Sequence, residues 1–585
     1  MNKSNLLFHF LWFVPFLLLG MPHLSAQQLS QIRGTVLDHA GAPLPGVSIV
    51  ATALGESKAA TSSNARGEFV LTGLKADKSY GIHFTLIGYQ AYEEKNFLVK
   101  AGDTNSILVR LHMTSSDLDE VVVIGYGNQK RGNLTTAISS LANVQKQTER
   151  PTTNIGEMLQ GNIAGVTVMS TGGDPSANPT VLIRGMGTLS DESPLYVVDG
   201  VPYYGGPLNP NDIESIDIMK DAASAAIYGA QAASGVIAIT TKSGKVGAPR
   251  FNIDLYKGWH NATSLPSALN AQEYARVYRE AAAAAGTTPA AGHDPAKNPW
   301  GQETRTVWMD EIFQTGQITN LSAQVSGGSE RSKYSTSFGY HDKEGLLKNT
   351  NYRRFTYRLK SEYDLSKRVQ VGQNFFVNHS TSRGTNTSSS YSGSIINAIY
   401  MNPAAPVYDA NGLFHGTVPF DLSGFSSAYG DTYNPVALLL RPTVSNPNLN
   451  LNGNAFIKVD IVDGLTFKSN FAVDLTRYSY KRFDPKIPEI GRSNSMNYLE
   501  HNERNTNRWI WDQQLNYRRS FGKHTFDALG VYSVQKTRID DYTVRAQDFA
   551  REDDWYQYIG NAGRILDLPT SIVTEDALIS AIGRI

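Results

Sequence analysis

The chain has 585 residues, 41% of them hydrophobic, which is enough apolar material to bury a core in each of several domains and excludes a disordered polypeptide. Its 53 Lys plus Arg balance 53 Asp plus Glu with no basic stripe, so the electrostatic footprint of a nucleic-acid binder is missing. The absence of cysteine excludes a disulfide framework, a thiolate metal site and a lipid-attachment Cys.

Residues 1–26 combine a positive start at Lys3, an apolar run from Leu6 to Leu19 and small residues ending at Ala26. That pattern is a secretory signal cleaved before Gln27, since the run is shorter than the ~20 residues a spanning helix needs. An exported chain with no later apolar run of spanning length is soluble, partner-bound or a β-barrel.

Residues 27–112 alternate with period two, as in "YGIHFTLIGY", where Ile82, Phe84 and Leu86 oppose Gly81, His83 and Thr85. Turn residues at "GAPLPG" and "NARGE" divide the segment into about seven short strands of a small β-sandwich. His39 and His83 stand alone without ligand spacing and read as packing residues.

The stretch "SDLDEVVVIGYG" follows at 116–127, within a small and polar linker spanning 113–127. Four β-formers, Val121, Val122, Val123 and Ile124, sit behind Asp119 and Glu120. The expected element is a strand with no fixed partner in its own chain, offered as an added edge to another protein's sheet. The acidic pair discourages promiscuous edge pairing.

Residues 128–245 read as an α+β globule. A helix in "IGEMLQGNIAG" is expected with Thr152 or Thr153 as its cap and Gly161 at its end. "VLIRG", "LYVVDG" and "GVIAITTKSG" are strands, and Asp221 caps "AASAAIY" before Gly229 stops it.

After Arg250 the pattern becomes long alternating strands. Tyr334, Thr336, Phe338 and Tyr340 oppose Ser335, Ser337 and Gly339. Phe355, Tyr357, Leu359 and Tyr363 oppose Thr356, Arg358, Lys360, Glu362 and Asp364. Leu465, Phe467, Phe471 and Val473 oppose Thr466, Lys468, Asn470 and Asp474. One apolar face and one charged face over about ten residues mark transmembrane β-strands with lipid outside and water inside. Short joints such as "GSERS" and "DLSKR" alternate with long excursions at 261–315 and 381–449, as periplasmic turns and extracellular loops would. Strands are expected to begin near 251, 316, 331, 352, 367, 451, 464, 506 and 522, with a tenth in "ALISAIGRI".

Taken together, these motifs resemble the TonB-dependent outer-membrane transporters of the SusC/RagA-like subfamily. "GTVLDHAGAPLPGVSI" and "GEFVLTGL" are similar to the carboxypeptidase-regulatory-like extension of that subfamily. "LDEVVVIGYG" matches the TonB box, which assigns that role to Asp119, Glu120, Val121, Val122, Val123 and Ile124. "VLIRG", "PLYVVDGVP" and "IESIDIMKDAASAAIYGAQAASGVIAITTKSG" match the plug, which assigns plug-motif roles to Arg184, Gly185, Asp199, Gly200, Lys220, Asp221, Tyr228 and Gly229. Gln231 and Ser234 depart from the Arg and Asn usual there.

The resemblance implies energised import of an oligosaccharide or peptide, with the C-terminal domain of TonB, a SusD-like lipoprotein lid and outer-membrane lipid as partners. It implies no cofactor and no metal, and places the sandwich and the box in the periplasm of a Gram-negative cell.

The implied layout is multidomain: signal peptide 1–26, sandwich 27–112, box linker 113–127, plug 128–245 and a partial transmembrane β-barrel 250–585. A plug of that length has a radius of gyration near ~13 Å, too wide for ten strands, whereas 22-stranded barrels hold a plugged lumen. The chain is therefore expected to be the N-terminal portion of a transporter. An enzyme is disfavoured because HExxH, GxSxG and a Cys nucleophile are all missing. The alternatives are a secreted glycan-binding or adhesive β-rich module and a siderophore transporter.

Overall fold

The computed structural model describes residues 29–585 apart from 39–40, 54–55, 87–88, 102–104, 112–120, 125–126, 131–137, 142–143, 145–151, 153, 170–173, 188–191, 388, 390, 392 and 523. The signal segment 1–26 lies outside the described residues. The chain divides into two compact units, the sandwich in one and the plug with the long strands in the other.

The sandwich has the seven expected strands: β1 (Leu29–Asp38), β2 (Ser48–Ala53), β3 (Glu56–Ser62), β4 (Glu68–Lys75), β5 (Lys78–Thr85), β6 (Tyr92–Val99) and β7 (Asn105–Leu111). They form two sheets, in the orders β4-β1-β7 and β3-β2-β5-β6. Alternate residues from both sheets, among them Ile32, Val36, Ile49, Phe69, Leu71, Ile82 and Phe84, make one core. Phe69 and Phe84 meet edge to face at 5.7 Å between ring centres. His83 reaches Thr52 Oγ1 at 3.2 Å.

Two short strands follow, β8 (Val121–Ile124) and β9 (Gly127–Lys130). The plug is built on a five-stranded sheet, β10 (Ile138–Ser140), β13 (Leu195–Val198), β14 (Val201–Pro202), β15 (Ile213–Met219) and β16 (Val236–Thr241), in the order β10-β15-β16-β13-β14. A separate pair, β11 (Val166–Met169) and β12 (Thr180–Ile183), lies beside it in sequence. The helix Ile155–Leu159 buries Met158 and Leu159 against Ile216, Ile218, Ile237 and Ile239.

Two expectations change here. The cap of that helix is Asn154 rather than Thr152 or Thr153, because its side chain accepts from Glu157 N, three residues on. The second helical segment is also not one helix ended by Gly229. A single α-turn, Ala222–Ala225, continues as a 3-10 stretch, Ala226–Ala232, broken at Gly229 with φ 66° and ψ −155°.

The wall begins with β17 (Gly247–His260), β18 (Gly316–Gly328), β19 (Ser332–Glu344), β20 (Asn351–Asp364) and β21 (Val369–Arg383), and continues with β22 (Thr443–Val462), β23 (Leu465–Asp484), β24 (Tyr498–Phe521) and β25 (His524–Phe549). Each pairs antiparallel with the next. The expected tenth strand is present but in two pieces, β26 (Ala562–Ile565) and β27 (Thr570–Arg584), which pair with successive parts of β25. Pro569 sits at the break and has no N–H to give a ladder.

Phe338, Phe355, Tyr357, Phe471, Trp511 and Tyr532 are exposed on the outer face, while Ser335, Arg358, Asn374, Asn470, Asp474 and Asp512 are buried on the inner one. Outer aromatics pair across strands, Tyr340 with Phe355 at 5.0 Å.

The expected excursions are folded rather than open. At one end the strands join by short turns; at the other, the segments after β17 and β21 fold together. The helices Trp308–Ile312, Ser394–Tyr400 and Pro435–Leu440 share a core of Trp308, Met309, Ile312, Leu347, Met401, Val436 and Leu439. The helix Ala271–Ala284 begins with a reciprocal Asn270–Glu273 cap.

His293 is buried in the same module, stacked on Tyr278 at 4.6 Å and edge-on to Tyr429 at 5.0 Å. One ring nitrogen, Nε2, bonds Ala428 O at 2.8 Å, which ties the first excursion to the second.

Two outcomes follow from this packing. In the isolated sandwich, Phe84→Ala should lower unfolding free energy by about 3–5 kcal/mol in urea melts, with one cooperative transition kept. The second concerns pH. Burial holds the His293 imidazole below its ordinary 6.5, opposed by the bond to Ala428 and reinforced by nearby Arg279. Below pH 6.5 the opened loops take up a proton that the closed module refuses, so stability falls as pH falls and is fully present above 6.5. Corrected amide exchange over 271–298 and 420–430 should be faster at about pH 5 than at about pH 7.5, and His293→Phe should remove the difference.

Candidate functional site

The box residues Val121–Ile124 are a strand, but not an unpartnered one. They form a two-stranded sheet with Gly127–Lys130 of the same chain, because only Gly125 and Tyr126 separate two segments able to fold back on each other. Asp119 and Glu120 lie outside the described residues.

Six of the eight plug-motif residues gather in two places, while Tyr228 and Gly229 lie on the 3-10 stretch Ala226–Ala232. In the first, Arg184 follows β12 with φ 64° and Gly185 continues at φ 84°. The Arg184 guanidinium pairs with the Asp221 carboxylate at the N-cap position of the next helical turn. Lys220 donates to Ala164 O at 2.9 Å, and Arg184 N donates to Gly165 O at 2.8 Å. Two segments far apart in sequence are thus pinned to each other and to the loop at Ala164 and Gly165.

The second place is the turn between β13 and β14. Asp199 at φ 48° and Gly200 at φ 84° both take left-handed backbone, the requirement of the two-residue hairpin turn that Asp-Gly favours. The turn projects the Asp199 carboxylate toward the wall. Oδ1 accepts from Thr241 N at 3.0 Å and from Lys360 Nζ at 2.9 Å; Oδ2 accepts from Asn374 Nδ2 at 2.6 Å and from the Thr241 hydroxyl. Lys360 lies on β20 and Asn374 on β21. Both charged side chains are nearly covered, at 12% and 13% exposure.

Beside them Arg358, also on β20 and 1% exposed, donates to the Thr241 hydroxyl and to Lys242 O. The buried Asp212 and Asp199 of the plug both offset its charge. Two cations of the wall and the Asp199 carboxylate of the plug are therefore buried together at one seam. Removing one partner of such a group leaves an uncompensated charge and costs about 3–5 kcal/mol.

Apolar and backbone contacts reinforce this seam. Phe376 of β21 enters the plug core and meets Tyr203 edge to face. Asn378 Nδ2 donates to Pro207 O at 3.0 Å, and the Arg508 guanidinium lies 3.6 Å from the Tyr204 ring centre. Gly206 packs closely here, since a Cβ there would meet the side-chain amides of Asn450 and Asn378, at 2.4 and 2.7 Å.

Sequence reasoning singled out Asp199 but not its partners Thr241 and Asn374, nor Asp212. It read Arg358 and Lys360 only as inner-face residues of a strand. Two cations at alternate inner positions were the available signal, since buried charges demand partners.

Nearer the looped end, a cavity of about 310 Å³ lies between Asp174 and Ser176 of the plug and Ser382, Asn446, Tyr480 and Arg482 of the wall. Its lining offers hydroxyls, amides and the Arg482 guanidinium, which pairs with Asp484 at 2.7 Å. Among the described residues no group of His, Asp and Glu has a metal-binding arrangement.

The TonB-dependent Receptor Plug Domain model matches residues 131–236, and the Carboxypeptidase regulatory-like domain model matches residues 31–112. TonB-dependent receptor P3 of Formosa agariphila is 30% identical over 582 residues, 97% of this chain and 54% of that protein. TonB-dependent receptor SusC of Bacteroides thetaiotaomicron is 30% identical over 480 residues, 77% of this chain and 43% of that one. The chain spans about half the length of the relatives it matches. In fold it is similar to the RagAB peptide importer in its "open-open" state, with a TM-score of 0.66 at 24% identity over 79% of this chain and 54% of that chain.

Proposed function

Because the chain belongs to the SusC/RagA-like branch of the TonB-dependent receptors, we propose that it serves energised import of a nutrient across an outer membrane. The observation that carries this reading is the inverted wall, aromatic outside and charged inside, with a plug held to its inner face through Asp199. In this reading the ten strand positions are one arc of a closed barrel. Support comes from the two edge strands, β17 and β27, which are largely exposed and would carry unpaired backbone groups in lipid.

TonB would bind by strand addition at Val121–Ile124. Addition either extends the hairpin's free edge or displaces Gly127–Lys130, and both use main-chain bonds. The sandwich and box would then lie in the periplasm and the folded excursions outside. A SusD-like lipoprotein would cover the looped end. The cargo is an oligosaccharide or a peptide: the cavity beside Asp174 and Arg482 presents groups that bond hydroxyls and amides.

Strand addition makes the backbone matter more than the side chain. Val122→Pro removes an N–H and fixes φ, so it should abolish TonB capture and uptake, while Val122→Ala should keep most of both. Equal loss in the two variants, or none in either, contradicts the assignment. Protease added to intact cells should cut within 384–442 and spare 154–245; cuts in the plug would reverse the topology.

A further inference from the structure

We infer that the buried group around Asp199 is a stop, which lets the chain between the box and β13 be drawn out while β13 and β16 stay on the wall. The inference rests on the proposed pull by TonB at residues 119–124, and the order of elements along the chain carries it. Tension entering there meets β10 first, a three-residue strand at the edge of the plug sheet, paired to β15 at Ile138–Ser140 only. It then meets the helix Ile155–Leu159 and the β11–β12 pair.

The Arg184–Asp221 pair on that path is weak by location, since Arg184 is more than half exposed and solvent-exposed pairs contribute little. The next element is different. β13 runs parallel to β16 from Leu195 to Val198, and the residue after it is Asp199. To pass that point the pull must strip Lys360 and Asn374 of the Asp199 carboxylate they both bond, inside the wall where Lys360 is nearly covered.

Arg358 also grips Thr241 and Lys242 at the end of β16, so the last plug strand is tied to β20 just before the chain enters the wall at Gly247. Residues 128–194 drawn out would reach roughly 200 Å at ~3.3 Å per residue. The space they leave is a passage lined on one side by the retained strands.

The chain has no cysteine, so single thiols report the boundary directly. Leu141 follows β10 and Ala238 lies mid-β16, and both are buried. In energised cells expressing the receptor, a membrane-impermeant maleimide should label Leu141→Cys and not Ala238→Cys. Adding Asp199→Asn, or separately Lys360→Met, should raise Ala238→Cys labelling about a hundredfold, the population change that losing one partner of a buried pair carries. With the proton gradient collapsed by a protonophore, neither site should label.

Labelling of both thiols in the parent background overturns the stop and leaves the pull intact. Labelling of neither overturns the pull itself. Labelling of Ala238→Cys in both variants at rest makes Asp199 a folding residue and overturns the stop as well.

Discussion

A strand whose outer face meets hydrocarbon has to turn its polar residues inward, and each inward charge must then find a partner out of bulk water. That constraint organises the second unit of this protein. Arg358, Lys360, Asp474 and Asp512 all lie on inner faces, and Arg358 is covered almost completely. Asp474 pairs with Arg508 within the wall, but an apolar plug would have left Arg358 and Lys360 unsatisfied at a cost of several kcal/mol each. The plug answers with carboxylates at Asp199 and Asp212 and with main-chain oxygen at Lys242.

The same constraint explains why so short a turn matters. A carboxylate must reach the wall from the end of a strand without a long, disordering arm. Asp-Gly in the left-handed region does this because it reverses the chain in two residues and leaves the Asp side chain at the tip. Gly206 serves the same seam by absence of a side chain, letting the loop backbone lie against Asn378 and Asn450. Phe376 works from the other side: an inward aromatic on the wall joins the plug's own core, so the two parts share apolar burial as well as charge.

Much of this was legible in the sequence, since period-two alternation survives any register and turn residues punctuate it. The seven sandwich strands and nine wall strands follow from such patterns. What was not legible depended on distance in sequence. The Asn154 cap required knowing which of three adjacent polar residues sits three before the bonded N–H. The fold-back of Val121–Ile124 on Gly127–Lys130 was obscured because polar residues of the second strand look like linker. The excursions carried Ser, Asn and Gly in loop-like numbers, yet their scattered Trp308, Met309, Met401 and Leu439 converge only when both fold together. Partners of Asp199 lie 42 to 175 residues away, beyond any local pattern.

Mechanical strength is distributed in the same order as ladder length. β24 and β25 pair over their full extent from Tyr498–Gln547 to Phe521–His524, and β22 pairs with β23 from Thr443 to Val462. The plug sheet is held by strands of two to seven residues, with β10 bonded over three. Backbone hydrogen bonds each contribute about 0.5–1.5 kcal/mol net, so a load shared along a wall strand meets many in parallel, whereas one applied to β10 meets a handful. A frame of long ladders enclosing a sheet of short ones can therefore yield in its interior without losing its outline. The buried charges at Asp199 are where the short-ladder part is fastened to the long.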